Sequence, residues 1–253
     1  MTAALSLKGV SHAYREVTVL AGVTFDVSPG TIHCLVGPSG SGKSTLLKIV
    51  AGLVMPRAGK VLIHGRDATS IPPHQRDLGF VFQSTQALFP HLTVRGNVEF
   101  AFQHGCRRGS KGDWRSGVNS LMEKTGIAEL ASRRISELSG GQRQRVAIVR
   151  SLAYKPSVLL VDEPMSGLDN ENRTSLIRLI RELRDDTGVA VLYVTHDERE
   201  VLELADVVGV LVAGTLQQSG RTREVFDAPK SEQIARILGL STAAEVTHAE
   251  NTR

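Results

Sequence analysis

The chain has 253 residues, of which 41% are hydrophobic and 22% are charged, ordinary values for a globular protein with a sizeable core. Its formal net charge of +4 is not gathered into a basic tract, which argues against a nucleic-acid partner, and its two cysteines indicate neither a disulfide framework nor a zinc site. Because it also lacks a signal peptide and any apolar run near the ~20 residues that span a bilayer, we expect a cytoplasmic protein.

The first part of the chain predicts strands on either side of a glycine-rich loop. Leu5 to Val10 and Val17 to Val27 alternate between apolar and polar residues, as half-buried strands do. Ile32 to Val36 is apolar without alternation, which is typical of a strand buried on both faces. The glycine-rich turn follows this strand, and residues 44–51 continue as a helix.

The rest of the chain alternates between buried strands and helices. Residues 93–153 are largely helical in pattern, with a polar and basic loop at 105–112. The other predicted strands are Leu78 to Phe82, Val158 to Val161, Val189 to Val194, and the closing hairpin of Val207 to Val212 and Thr215 to Gln218. Two more segments have helical spacing: Leu176 to Leu183 and Arg199 to Leu204.

This order of elements predicts an α/β fold. A mostly parallel sheet covered by helices forms the core, with an antiparallel β subdomain and a helical subdomain inserted at about residues 86–152. We expect residues 1–240 to form the folded domain and the polar tail, 241–253, to be disordered.

Residues 37–45 match the pattern of a phosphate-binding loop between a strand and a helix. The glycines let successive N–H groups converge on phosphate oxygens, and the helix that follows adds its positive dipole end. We expect Lys43 to reach the β- and γ-phosphates and the Ser44 hydroxyl to bind Mg²⁺. The pattern therefore predicts a P-loop NTPase core and a nucleotide contact from Gly37, Pro38, Ser39, Gly40, Ser41, Gly42, Lys43, Ser44 and Thr45.

Two adjacent acids follow the predicted strand Val158 to Val161. Ionised carboxylates at a buried strand end are costly unless they are paired or bound to a metal. Asp162 fits a second contact to Mg²⁺, and Glu163 fits a general base that polarises an attacking water. The alternative is a plain pair of strand-terminating acids, and the neighbouring phosphate loop argues against it.

A second anion-binding helix start is predicted at Leu138 to Gln142, where a serine and two glycines precede a helix. These five residues resemble the signature motif of the ATP-binding subunits of ABC transporters. In that family the motif caps the γ-phosphate of ATP held by the opposite subunit of a dimer. The resemblance implies this role for Ser139, Gly140, Gly141 and Gln142.

The resemblance extends from about residue 5 to residue 239 and implies further roles. Tyr14 corresponds to the aromatic residue that stacks on adenine, the alternative being a core tyrosine. Gln83 corresponds to the glutamine that touches Mg²⁺ and water, and His196 to the histidine that contacts the γ-phosphate. Ser166 to Asp169 corresponds to the loop that communicates across the dimer.

The implied catalytic set is Glu163, His196, Gln83 and Lys43, and the implied metal ligands are Ser44, Gln83 and Asp162. One departure concerns residues 83–89, a stretch one residue longer than the common form. In the family this stretch lies near the membrane subunit, so the fit to that partner is what the departure affects.

The resemblance implies the ATP-hydrolysing subunit of a transporter that binds ATP and Mg²⁺. A homodimer on the inner face of the cell membrane would act with integral-membrane permease subunits, and indirectly with a solute-binding protein. Residues 72–77 and 87–94 resemble bacterial importers of oxyanions, iron, polyamines or phosphonates. We expect a small anion or metal as solute, because the chain is too short for the regulatory domain of many polyamine and sugar relatives.

Two alternatives within the family are an exporter subunit and a soluble ABC ATPase acting on DNA or ribosomes. The soluble class usually has a coiled-coil insertion or two cassettes, whereas this sequence has one phosphate loop and no heptad tract. A kinase or GTPase would leave Leu138 to Gln142 unexplained.

Overall fold

The computed structural model describes residues 2–83, 87–104 and 114–240. Within these ranges the strands are β1 (Leu5–Tyr14), β2 (Val17–Val27), β3 (Ile32–Val36), β4 (Ala58–Ile63), β5 (Arg66–Asp67), β6 (Leu78–Val81), β7 (Val158–Asp162), β8 (Ala190–Thr195), β9 (Val207–Val212) and β10 (Thr215–Arg221). The helices are α1 (Lys43–Val50), α2 (Val94–His104), α3 (Trp114–Lys124), α4 (Gly140–Leu152), α5 (Asn170–Thr187), α6 (Glu198–Leu204), α7 (Thr222–Asp227) and α8 (Glu232–Ile237).

Six strands form a mostly parallel sheet in the order β10-β9-β3-β8-β7-β6. The pairs from β9 to β6 are parallel, and only the β9–β10 hairpin of this sheet is antiparallel. Every residue of β3, β7 and β8 is buried, because helices and the second sheet cover both faces. The α/β fold predicted from the sequence is confirmed.

The second sheet has four antiparallel strands in the order β2-β1-β4-β5. Its strands β1 and β2 were predicted, although β1 runs four residues further than the alternation indicated. Strands β4 and β5 were not predicted, because the first half of β4 is exposed and β5 has only two residues. The short helices α7 and α8 also offer too few positions for a periodic pattern.

Helices α2, α3 and α4 lie between β6 and β7 in the chain, where the sequence predicted an inserted helical subdomain. The division into domains stays a prediction. The predicted polar tail at 241–253 lies outside the described residues, as does the whole basic loop predicted at 105–112. Of the lengthened stretch at 83–89, residues 84–86 lie outside them too.

Two hydrophobic cores lie on opposite faces of the six-stranded sheet. Ile32, Cys34 and Val36 of β3 belong to the core that contains side chains of α2 to α6. Leu35 belongs to the other core, together with side chains of α1 and of the antiparallel sheet. The sheet is therefore held from both sides.

No helix in the described ranges is long and apolar enough to cross a bilayer.

The carboxyl ends of the parallel strands bring the predicted site residues to one edge of the sheet. Strand β3 leads into the phosphate loop, and β6, β7 and β8 lead to Gln83, Glu163 and His196. In an open α/β sheet this edge is where ligands bind. The fold thus collects groups that lie far apart in the sequence.

Candidate functional site

Lys43 is the first residue of α1, and its ammonium group lies inside the curl of the phosphate loop. Its Nζ donates hydrogen bonds to the carbonyl oxygens of Gly37 and Pro38, at 2.7 and 2.9 Å. The side chain is 4% exposed, and this burial lowers the pKa of Lys43, whereas the charges of Glu163 and Asp162 raise it. The loop therefore holds a buried cation beside two carboxylates.

The loop needs a glycine where α1 begins. Gly42, the residue before α1, has a φ of 103°, a backbone conformation that L side chains rarely adopt. A Cβ at this position would lie 2.7 Å from the carbonyl oxygen of Val19 on β2. The close approach fixes the loop against the β1–β2 hairpin, so the antiparallel sheet supports the loop from outside.

Ser44 and Asp162 join the start of α1 to the end of β7. The Ser44 hydroxyl donates to Asp162 Oδ1 at 3.0 Å. Burial raises the pKa of Asp162, and the hydrogen bond from Ser44 opposes this effect. A hydroxyl and a carboxylate oxygen that lie this close are two of the hard oxygen ligands that Mg²⁺ prefers.

Glu163 follows β7 in a left-handed backbone conformation, with a φ of 42°. Such a conformation is uncommon for a residue with a Cβ, and it costs of order 1 kcal/mol or more when the surroundings impose it. Its N–H donates to the carbonyl oxygen of Val194 at 3.0 Å, which ties it to β8. Strained residues of this kind cluster at functional sites.

Three residues predicted to act in catalysis meet at the Glu163 carboxylate. Its Oε2 accepts a hydrogen bond from Gln83 Nε2 at 3.4 Å and lies 3.2 Å from His196 Nδ1. Gln83 follows β6 and His196 follows β8, so the carboxylate between them is approached from both neighbouring strands. The structure therefore brings Gln83, Glu163 and His196 together beside the Ser44–Asp162 pair.

Tyr14 lies at the end of β1, on the hairpin that contacts the phosphate loop. Its side chain is 47% exposed, so the alternative of a core tyrosine is wrong. One edge contact, with ring centroids 4.7 Å apart, joins it to His12. The rest of the ring is available for stacking, and the contact with adenine stays a prediction.

Residues Leu138–Gln142, the signature segment, form the start of α4 and lie far from the phosphate loop in the sequence. Ser139 Oγ accepts from the Gln142 N–H at 3.2 Å, and Gln142 Oε1 accepts from the Ser139 N–H at 3.0 Å, which is a capping box. Ser139 and Gly140 are exposed. Among the described residues, no hydrogen bond or ion pair joins Ser139–Gln142 to residues 37–45.

Gly141 is required by the packing of α4 on α5. A Cβ there would lie 2.6 Å from Asn172 Oδ1, in the first turn of α5. Asn172 in turn is bonded to Asp169, which caps α5. The signature segment thus contacts the start of α5 in the same chain.

Sequence reasoning missed Arg173, whose guanidinium is paired with the carboxylate of Asp197 directly after His196. Nothing in the sequence distinguishes Arg173 from the other arginines of α5, because the pairing depends on how α5 packs beside β8.

A family model described as ABC transporter matches residues 20–166, which is more than half of the chain. The chain belongs to the ABC transporter family. The resemblance drawn from the signature segment is therefore confirmed. A solved ATP-binding cassette of an ABC transporter, MJ1267, superposes with a TM-score of 0.83 at 25% identity and covers 94% of this chain and 99% of that one.

Three curated relatives are import ATP-binding proteins by name. The spermidine/putrescine protein PotA of Frankia alni is 41% identical over 244 residues, which are 94% of this chain and 52% of the relative. The sulfate/thiosulfate protein CysA of Mycobacterium tuberculosis is 43% identical, covering 94% of this chain and 67% of the relative. The molybdate/tungstate protein WtpC of Pyrococcus horikoshii is 41% identical, with 95% and 69% covered. The chain thus spans about half of PotA and about two thirds of the other two.

Proposed function

We propose that the protein is the ATP-hydrolysing subunit of an ABC transporter and powers the import of a solute through separate membrane permease subunits. Its dimer would act from the inner face of the cell membrane, with a solute-binding protein delivering the cargo. The names of the three relatives support import over export. No solute is assigned, because the names of the relatives refer to the import of polyamines and of several oxyanions.

The phosphate loop and the Ser44–Asp162 pair fit a nucleoside triphosphate with Mg²⁺. Lys43 supplies a desolvated cation, and the start of α1 supplies N–H groups and a positive dipole end. In the described ranges, no group of three or more His, Cys, Asp or Glu side chains could hold a metal by itself. Ser44, Gln83 and Asp162 would therefore provide at most half of the ligands of an octahedral ion, which suits Mg²⁺ that takes its other ligands from phosphate and water. When bound, Mg²⁺ neutralises charge on the phosphate oxygens.

Glu163 would serve as the general base of the hydrolysis. Gln83 and His196 approach the same oxygen of its carboxylate and so fix the direction of the group. The carboxylate would accept a proton from the attacking water, while Gln83 orients that water and His196 contacts the γ-phosphate. Lys43 would hold the β- and γ-phosphates in place.

The second half of each nucleotide site would come from another copy of the chain. Ser139 and Gly140 are exposed at the start of α4, where N–H groups and the helix dipole favour an anion. No hydrogen bond or ion pair joins this segment to the phosphate loop among the described residues. We therefore infer a head-to-tail homodimer with ATP between the loop of one copy and the signature segment of the other.

The observation that carries the proposal is the convergence of Gln83 and His196 on Glu163. Replacement of Glu163→Gln keeps the size of the side chain but removes the base. We expect ATP turnover to fall by about a hundredfold or more. The dissociation constant for ATP, measured by isothermal titration calorimetry, should change little because Lys43 and Ser44 are intact.

The matched control is Glu171→Gln, which removes an exposed carboxylate from the first turn of α5. This variant should hydrolyse ATP at the parent rate. If Glu163→Gln also hydrolysed ATP at the parent rate, the assignment of the base would be wrong.

A further inference from the structure

The turn that carries His196 is closed by the side chains of its two neighbours. The Asp197 N–H donates to Thr195 Oγ1 at 3.0 Å, which spans His196. Asp197 Oδ1 then accepts the Arg199 N–H at 2.9 Å and starts α6. The His196 side chain itself is 58% exposed, so its position depends on this turn more than on packing of its ring.

The far side of Asp197 is held by Arg173. Arg173 Nη1 donates to Asp197 Oδ2, and both side chains are largely buried, at 26% and 21% exposed. Arg173 Nε is buried without a hydrogen-bond partner among the described residues. Burial raises the pKa of Asp197, but the Arg199 N–H and the charge of Arg173 outweigh this effect and the net pKa lies below its usual value. One carboxylate oxygen of Asp197 thus caps α6, and the other pairs with Arg173.

Arg173 lies in the first turn of α5 and is bonded to the loop that precedes this helix. Its backbone N–H donates to the Asp169 carbonyl oxygen at 3.0 Å, in the first helical turn. At the other end of this loop, the Ser166 N–H donates to the carbonyl oxygen of Glu163 at 3.4 Å. The path from Glu163 through Asp169 to Arg173 is therefore one short, bonded segment.

These contacts form a closed ring around the site. From Glu163 the ring runs along residues 166–169 to Arg173, crosses to Asp197 by the ion pair, and returns through His196 to the Glu163 carboxylate. The Arg173–Asp197 pair is the side-chain link that joins α5 to the His196 turn. A displacement of the loop at 166–169 would be carried to His196 through this pair.

Hydrogen bonds through Glu200 tie α6 to β8. Tyr193 OH donates to Glu200 Oε2 at 2.7 Å, with both side chains buried, and the Thr195 hydroxyl donates to the same carboxylate. This network ties α6 to β8, so α6 and β8 form one unit. Rotation of the His196 turn is then resisted from the α5 side by Arg173.

We propose that Arg173 is a positioning residue that sets the orientation of His196 through Asp197 and couples it to the loop at 166–169. This inference rests on the proposed function, because it concerns the rate of ATP hydrolysis. Lys43 and Ser44 lie on α1, outside the ring, so ATP binding should not depend on Arg173. The chemical step should depend on it, since a small misplacement of a catalytic group has a large effect on rate.

Arg184 offers a matched control at the other end of α5. Its Nη1 donates to Asp206 Oδ2 at 2.6 Å, an ion pair of the same type that lies away from the ring. Arg173→Ala and Arg184→Ala each remove one arginine from the same helix, α5. The comparison separates loss of a structural ion pair from loss of positioning.

The experiment measures kcat, KM and the melting temperature of the full chain and of Arg173→Ala, Arg173→Lys and Arg184→Ala. Arg173→Ala should lower kcat by about ten- to a hundredfold with KM within about twofold. Arg173→Lys should recover part of kcat, because the charge is restored without the planar fork. Arg184→Ala should lower the melting temperature similarly and keep the parent kcat.

A second variant guards against misfolding of Arg173→Ala. Asp197→Asn retains the oxygen that caps α6 and removes the charge that faces Arg173, so it should show the same fall in kcat. Two outcomes in an active parent chain would overturn this inference and leave the proposed function intact. In the first, Arg173→Ala and Asp197→Asn keep the parent kcat. In the second, Arg184→Ala lowers kcat as much as Arg173→Ala does. A parent chain without ATPase activity would overturn the proposed function and the inference with it.

Discussion

The phosphate loop and the signature segment are both helix starts that we propose to bind phosphate, but they differ in what completes them. Lys43 at the start of α1 is buried and bonded within its own loop, and the carboxylates of Asp162 and Glu163, at the end of β7, lie beside it. Ser139 at the start of α4 is exposed, and its side chain is bonded only within its own capping box among the described residues. One region is thus assembled inside the chain, and the other is presented outward. Under the proposed function, these are two half-sites, and no hydrogen bond or ion pair joins them within one copy among the described residues.

The strongest test of the exposed half is Ser139→Arg. A bulky cation at the helix start should keep the signature segment from contacting the ATP held by the other copy, and we expect ATPase activity to fall at least about tenfold. ATP binding to the separate chain should be unchanged, because the phosphate loop is intact. ATPase rates and ATP titrations by calorimetry measure the two quantities.

The control for lost capping is Ser231→Arg at the start of α8, where Ser231 Oγ accepts the Ile234 N–H at 3.3 Å. Both variants lose a cap worth about 1 kcal/mol. If Ser139→Arg kept the parent ATPase rate, the signature segment would have no part in the site.

Tyr14→Ala tests the part of the site next to the phosphate loop, where we expect the adenine base to bind. Loss of base stacking should weaken ATP binding by about five- to a hundredfold. Binding of inorganic pyrophosphate should be unaffected, since it has no base to stack. Val17→Ala is the control, because Val17 lies opposite Tyr14 on the same hairpin and is 69% exposed. Equal weakening of ATP and pyrophosphate would assign Tyr14 to the shape of the loop instead.

The prediction with no expected effect on ATP turnover concerns the interior of β3, which leads to the phosphate loop but belongs to neither half of the site. Burial lowers the pKa of His33 from 6.5 to about 4, against a smaller opposing effect of its hydrogen bond with the Asp26 carbonyl oxygen. The unfolded chain therefore binds more protons between these two pH values, and stability is lost as the pH falls through that window. The free energy of unfolding should fall by about 3 kcal/mol between pH 7 and pH 4 on this account.

His33→Gln should flatten this part of the pH dependence in denaturant unfolding curves. The exposed His91→Gln should leave it unchanged. An undiminished slope in His33→Gln would show that other groups cause the acid sensitivity.

Much of the site around the phosphate loop could be predicted from the sequence. The strands that lead to it are buried on both faces, and the site residues directly follow the ends of these strands. Ile32 to Val36 was predicted with the bounds that the structure has, and Val189 to Val194 within one residue. The left-handed φ of Glu163 could not be predicted, because a residue with a Cβ rarely adopts this conformation. The Arg173–Asp197 pair was also out of reach, because it joins residues 24 positions apart through the packing of α5.

The central claim is that each site is completed by a second copy, and mixing two inactive variants tests it most directly. Lys43→Ala disables the loop and Ser139→Arg disables the signature segment, so neither variant alone should hydrolyse ATP. Random pairing of an equal mixture gives mixed dimers that each contain one intact site, and we predict recovery of about one quarter of the parent ATPase activity. A mixture no more active than its separate components would contradict the account.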